Sequence, residues 1–524
     1  MINSAFKPWI YWYSSPGIKP ITDAVKGGQL SFLNKSQIKE IDSAGKEILK
    51  RTGVKIPNKT ILERLEKFGS TIDYKEEKAW IPSELVDEAL EKTPKTFNFA
   101  GRDTKNYIKL DTKNVYFVHG IGPYLIATDG SMRQPSLKDM QDAYRVVSAC
   151  ENIDVVGIPV GGTQSTPPEY MDFPVTIRRL KKYAMMLDLM EKPVDTTREY
   201  IVDNEDETGS ARQGSLDQIE MEIAVRGDID ELRKYPMSLG FNEAVSPLMY
   251  LPKNLEKLIV YAEYGLPIFI GSGPMTNATG PATLAGTVVL WLAETLAGLV
   301  IGYVMGKPEH RSPALWMCFT GIFDQKAAHG PIMGSPEGVM VQAACGEIAH
   351  YYGFPLRGCT ESSSKALDPQ AGYDTAVCLM VSAMAGINYN VSIGTVGPGE
   401  IGTSMEKMVL DNDLIGYIKR VMNGIEVTEE TLAVDVIDKV GIGGNYLMNP
   451  HTRKWFRKEQ YIPSLFDRRK YEDWKRRGEK DAVKRAQERV EEILRDYWPE
   501  PLDADIKNRI EDHIKLVVKR ESKR

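Results

Sequence analysis

The stretch LRGCTESSSKALDPQAG, residues 356–372, sets an arginine, a cysteine, a threonine, a glutamate and three serines directly after the apolar approach IAHYYGFPL. Glu361 stands where a buried run ends. Two readings of it are open. In one it pairs with Arg357 or Lys365, or caps the next helix through the serines that follow. In the other it is a half-buried carboxyl group at the mouth of a site, where burial raises its pKa and lets it donate a proton near neutral pH. The ends of the other apolar runs supply Asn242, Met275, Phe323 and Ser392. Met249, Tyr250, Trp316, Met317 and Phe319 offer apolar and aromatic lining for a small molecule. His119, in YFVHGIGPY, is either a substrate contact over the mouth or a buried, hydrogen-bonded histidine. The chain has six histidines, and none are paired at ligand spacing on one helix, so no metal site is expected. Cys318 and Cys359 could form a thiolate site, but the stronger reading is a pair of core cysteines.

The elements that position these residues alternate. From about 150 onward, short apolar runs are separated by longer helical stretches: IDVVGIPV, MSLGFN, LPIFIGS, ALWMCFT, PLRGCT and INYNVSIG. Runs with apolar residues at nearly every position suit parallel strands buried on both faces. Repeated βα units over this length predict an α/β fold, a (β/α)8 TIM barrel with its chemistry at the C-terminal ends of the strands. A doubly wound sheet is the alternative, although no GxGxxG or Walker loop follows any of the runs. The expected organisation is an extension over 1–34, a helical and small-sheet region over 35–148, a barrel over 149–450 and C-terminal helices over 451–524. The small sheet takes in TFNFAG, YIKL, VYFVHG and YLIAT. The barrel carries a polar insertion around 161–236 that serves as a lid or an interface. The GIGG at 441–444 lacks phosphate-loop spacing and reads as a turn.

Net charge is −6, without a dominant basic stretch, so nucleic acid is not an expected partner. Five scattered cysteines without a CxxC pair point to reduced thiols in the cytoplasm. The N-terminus lacks the charged start and apolar core of a signal peptide. Residues 283–305 are long enough to span a bilayer. They carry Glu294 midway, however, and read as a core helix, so no membrane association is expected. A symmetric homo-oligomer is the default for a soluble enzyme of this size.

Several segments together resemble the trimethylamine:corrinoid methyltransferase superfamily: SPL at 246–248, TLAGTVVLWLAETLAG at 283–298, GSPE at 334–337, DPQAG at 368–372, MEKMVLDNDL at 405–414, EETLAVDVIDKVGIGGNYL at 429–447 and PLDADI at 501–506. The likeness covers most of the chain from about 35 onward. It implies a TIM barrel that moves a methyl group from a small methylated substrate to the Co(I) of a separate corrinoid protein. The founding trimethylamine enzymes carry pyrrolysine where, by spacing back from QAG, this chain carries Glu361. That places it with the non-pyrrolysine members. No DxHxxG cobalamin loop occurs in the sequence, so the corrinoid is expected from a cognate partner protein. A protonated Glu361 facing flat aromatic lining favours a methoxylated aromatic donor and O-demethylation, in which a phenolate leaves and a positioned acid helps it. The alternative is glycine betaine or another quaternary amine, caged by rings and drawn by an ionised Glu361. A non-catalytic binding scaffold is the third reading.

Overall fold

The computed structural model describes residues 25–157, 167–196, 208–324 and 331–523. Its main sheet is built on six parallel strands: β1 (Asn114–His119), β2 (Gly240–Val245), β3 (Ile268–Ser272), β4 (Ala314–Cys318), β5 (Leu356–Cys359) and β6 (Tyr389–Ile393). Their order in space is β2, β3, β4, β5, β6, β1. Isolated parallel bridges carry the pairing onward, from Val118 to Val155 and from Val156 to Val194. Each strand is apolar on both faces because each face has its own cover. On the inner face Leu315, Met317 and Phe319 meet Phe241, Phe269 and Tyr389 in one cluster. Phe97, Phe99, Ile108 and Leu110 of the hairpin Phe97–Ala100/Tyr107–Leu110 join that cluster. On the other face Trp316, Cys318, Ile268 and Ile270 pack into the larger helical core. Alternation with period two assigns each residue to one packing or the other.

The covering helices include α1 (Leu284–Met305), α2 (Pro336–Tyr352), α3 (Pro369–Ala385) and α4 (Met405–Met422). By length and composition α1 could cross a membrane, but most of it is buried inside the protein and Glu294 is fully enclosed. The C-terminal helices Ala482–Asp496 and Ala504–Glu521 pack on α4 and on the helices Val175–Leu189 and Thr208–Arg226, respectively.

Two expectations change. VYFVHG was assigned to the small N-terminal sheet, but as β1 it pairs in parallel with β6, so the main sheet draws on a strand from before 149. Its six residues are all buried, as a strand covered on both faces requires. The segment 161–236, of which 161–166 and 197–207 lie outside the described residues, is more than a polar insertion. Among its described residues are the helices Val175–Leu189 and Thr208–Arg226 and the strand-like contact at Val194. The lysines and arginines within the first of these helices masked its apolar face.

Glu294 fastens α1 to the turn that follows β2. Its carboxyl oxygens accept the Leu248 N–H at 2.7 Å and the Ser246 hydroxyl at 2.8 Å. Burial pushes its pKa from 4.5 up to about 7, against the pull of those bonds. Its stabilising contribution is complete below pH 4.5 and is lost as pH rises through 7. At about 1.4 kcal/mol per pH unit, the loss is about 3 kcal/mol by pH 8. Urea unfolding at pH 5 and pH 8 should show this decline in the wild type and a flatter profile in Glu294→Gln. An unchanged profile in the variant would contradict the assignment.

Candidate active site

Glu361 follows β5 and is fully enclosed. One of its carboxyl oxygens accepts the backbone N–H of Glu400 at 3.1 Å. The serines after it do not turn it into a cap. Ser362 Oγ donates to Asp374 at 3.0 Å and Ser364 Oγ to Asp368 at 2.7 Å, while Asp368 itself caps α3 through the Ala371 N–H at 3.0 Å. The SSSKALDPQAG run is therefore the scaffold that fixes the Glu361 backbone. GSPE supports it from the other side. Ser335 caps α2, and a Cβ on Gly334 would lie 2.3 Å from the Glu361 carbonyl oxygen. Gly334→Ala must push that backbone away, at about 1–3 kcal/mol. It should reduce turnover more than 10-fold in a protein that still folds, as followed by initial rates alongside circular dichroism. Wild-type turnover would show that the backbone position of Glu361 does not matter.

Glu400 is the second acid. Ser392 Oγ donates to its Oε1 at 2.8 Å, and Cys359 Sγ lies 2.6 Å from the same hydroxyl. With the serine proton committed to Glu400, the thiol must donate to Ser392, giving a relay Cys359–Ser392–Glu400. Ser392 (φ 83°) and Glu400 (φ 55°) both occupy the left-handed region, and β6 slips its register between Asn390 and Ile393. Such backbone costs on the order of 1–3 kcal/mol per residue and persists where surrounding bonds over-determine it. Here Thr395 Oγ1 donates to the Ser392 carbonyl at 2.6 Å, and the Gly394 N–H donates to Asp411 at 2.8 Å. The bulge turns Ser392 toward Cys359 on the inner face.

Deeper on β5 lies Arg357, 1% exposed, its Nε 3.7 Å from Asp195 Oδ2. Its guanidinium sits 4.5 Å from the centre of the Phe319 ring and 5.3 Å from that of Phe269. Among the described residues, Nε and Nη2 have no hydrogen-bond partner. Arg357 and Cys359 alternate onto one face of β5, Cys359 meets the relay to Glu400, and Glu361 follows two residues after the strand ends. An enclosed cation with spare donors and two enclosed carboxyl groups along one stretch of chain suit a ligand that carries both signs of charge.

The structure brings only some of the expected residues together. Phe319 packs on Arg357, and Met317 belongs to the same inner cluster. Ser392 is in the relay. Met275 and Phe323 lie half-buried beyond β3 and β4, where the Phe323 N–H donates to Thr276 at 2.9 Å. Of the remainder, Trp316, Tyr250, Asn242 and His119 face the helices, and Met249 lies half-buried on a short strand. Trp316 stacks on Phe354 and meets Trp291 edge-on. Tyr250 donates to the Glu294 carbonyl at 2.6 Å, and Met249 pairs with Lys55. Asn242 shares the face of Gly240, which lies against Tyr261. His119 is enclosed beside Gly394, whose added Cβ would also meet Met408. Burial drives its imidazole down to about 3, so it is neutral at physiological pH. Among the described residues no group of three or more His, Cys, Asp or Glu side chains could hold a metal.

The family model for trimethylamine methyltransferase (MTTB) matches residues 17–522. The glycine betaine methyltransferase of Desulfitobacterium hafniense (strain Y51) is 28% identical over 92% of this chain and 96% of its own length. The trimethylamine methyltransferase MttB of D. hafniense (strain DSM 10664 / DCB-2) is 31% identical over 92% and 93%, respectively. The crystal structure of the hydroxylamine complex of MtmB superposes with a TM-score of 0.53 at 9% identity, covering 95% of this chain and 89% of that one. At that identity it is a likeness of fold.

Proposed function

The chain belongs to the trimethylamine methyltransferase family and is a methyltransferase, and we propose that it takes a methyl group from a dipolar quaternary amine of the glycine betaine class. The acceptor in this reading is the Co(I) of a separate corrinoid protein, bound as a second substrate at the C-terminal ends of the strands. The curved parallel sheet is then a (β/α)8 barrel, with Val194 and Gly240 on neighbouring strands. The five buried cysteines, all reduced, suit a reducing cytoplasm.

Arg357 carries the reading. A quaternary ammonium leaves as a neutral amine and needs no proton, so the site must hold charge more than transfer it. Glu361, supported by Glu400, attracts the ammonium toward the mouth. The spare N–H groups of Arg357 take the carboxylate, and the Phe319 ring packs on the guanidinium. Fixing both ends presents one methyl carbon outward and excludes water behind it. The aromatic ether expected from a protonated Glu361 is set aside, because the relatives named above act on glycine betaine or trimethylamine. The test is methyl transfer from glycine betaine to a Co(I) corrinoid protein compared with tetramethylammonium, which lacks the carboxylate. A clear preference for glycine betaine is expected, and equal rates would remove Arg357 from the account.

A further inference from the structure

The run MEKMVLDNDL opens α4, and two of its aspartates face different parts of the chain. Asp413 accepts the backbone N–H groups of Ser464 at 2.8 Å and Phe466 at 2.9 Å, and so ties down the segment that leads to the C-terminal helices. Asp411 turns to the end of β6, where its Oδ2 accepts the Gly394 N–H at 2.8 Å. The Gly394 carbonyl accepts the Ser404 N–H at 3.1 Å, so both backbone groups of this residue are tied to the start of α4. Gly394 has φ 76° and follows the register slip that holds Ser392 in left-handed backbone. Asp411 is 3% exposed, and a carboxylate at that depth needs a countercharge. Lys407, one helical turn before it, supplies one. Its Nζ lies 2.6 Å from each Asp411 oxygen and donates to Thr375 on α3 at 2.9 Å.

We infer that Asp411 is a positioning residue for methyl transfer: through the Gly394 N–H it holds the bulge that turns Ser392 toward Cys359 and Glu400. Left-handed backbone at a non-glycine residue persists only while surrounding bonds over-determine it. Asp411 contributes a charged acceptor, which binds an N–H more strongly than a neutral oxygen does. Lys407 balances that charge. With the bulge released, Ser392 loses its aim at Glu400, whose N–H is the group that bonds Glu361. The role concerns the relay and holds for any methyl donor, so it goes beyond the substrate class proposed above.

Removing Asp411 alone strands a buried lysine, so the test compares two double variants from which both charges are gone. Lys407→Met with Asp411→Asn keeps an oxygen for the Gly394 N–H, whereas Lys407→Met with Asp411→Leu keeps the bulk without an acceptor. Two quantities are read. One is methyl transfer from glycine betaine to a Co(I) corrinoid protein. The other is the infrared S–H band of Cys359, isolated by subtracting the spectrum of the matching Cys359→Ala protein. The asparagine protein should stay within about 3-fold of the wild-type rate, with a hydrogen-bonded S–H band, because a neutral acceptor replaces a charged one. The leucine protein should lose about 10–100-fold in kcat/KM, the population shift that relaxing one strained residue produces, and its band should move to that of a free thiol. Equal rates in the two proteins overturn the assignment, as does an unmoved band in the leucine protein or a free-thiol band in the wild type. Asp411→Glu keeps the ion pair but displaces the acceptor by a methylene group. It should show the same band shift, and it carries the test should the leucine protein not fold. The band is read without substrate, so inert glycine betaine together with a shifted band overturns the substrate class alone.

Discussion

Glu361→Gln should lower kcat/KM for methyl transfer from glycine betaine by about 10²–10³-fold, with folding intact. That magnitude follows from removing one partner of an enclosed charge pair, about 2–5 kcal/mol. Glutamine keeps the size of the side chain and an oxygen to accept the Glu400 N–H, so the scaffold of serines around it has no cause to move. Only the negative charge is lost. Glu361→Asp should recover part of the rate, because it restores the charge at a shorter reach. Steady-state rates and thermal melts on the three proteins check this. A glutamine variant at wild-type rate would remove Glu361 from the chemistry and shift the role to Glu400 in the relay.

The second large effect belongs to Arg357. Arg357→Met leaves Asp195 enclosed without its ion-pair partner, and breaking a buried pair on one side costs about 3–5 kcal/mol. The single variant should therefore be markedly destabilised. Arg357→Met combined with Asp195→Asn removes both charges and should recover most of that loss. In the double variant the KM for glycine betaine should rise about 100-fold, the value of a charge-assisted bond of about 3 kcal/mol. Tetramethylammonium should be nearly indifferent to the same change. Urea unfolding together with the two KM values separates the structural role of the pair from its role in recognition. Equal losses for both substrates would make Arg357 a structural plug of the sheet interior.

The apolar runs that became β2 to β6 were legible in the sequence because parallel strands covered on both sides have no choice but to be apolar throughout. The same property hid their phase. In ALWMCFT nothing distinguishes Trp316, which turns to the helices, from Met317 and Phe319, which turn inward. Asn242, Tyr250 and His119 were assigned to the site for the same reason, and each lies against a helix. Phase becomes visible only where a strand carries a charge that must find a partner. Arg357 in LRGC fixes the inward face of β5, and with it Cys359, two residues on. Glu400 was visible as an acid in the glycine-rich GPGE turn. Its link to Glu361 and Ser392 depends on left-handed backbone at two non-glycine residues, which no local propensity announces. β1 escaped because it sits between hairpin strands in sequence and pairs with a strand some 270 residues away.

On the function proposed above, this methyltransferase acts on a quaternary amine that also carries a carboxylate. The most direct measurement incubates the wild-type protein and a Co(I) corrinoid protein in parallel with glycine betaine, trimethylamine and 2-methoxyphenol, following the Co(I) absorbance and the demethylated product. Loss of Co(I) with glycine betaine, matched by dimethylglycine, is expected, with little change with the other two. Transfer from trimethylamine or the ether, with glycine betaine inert, would contradict it.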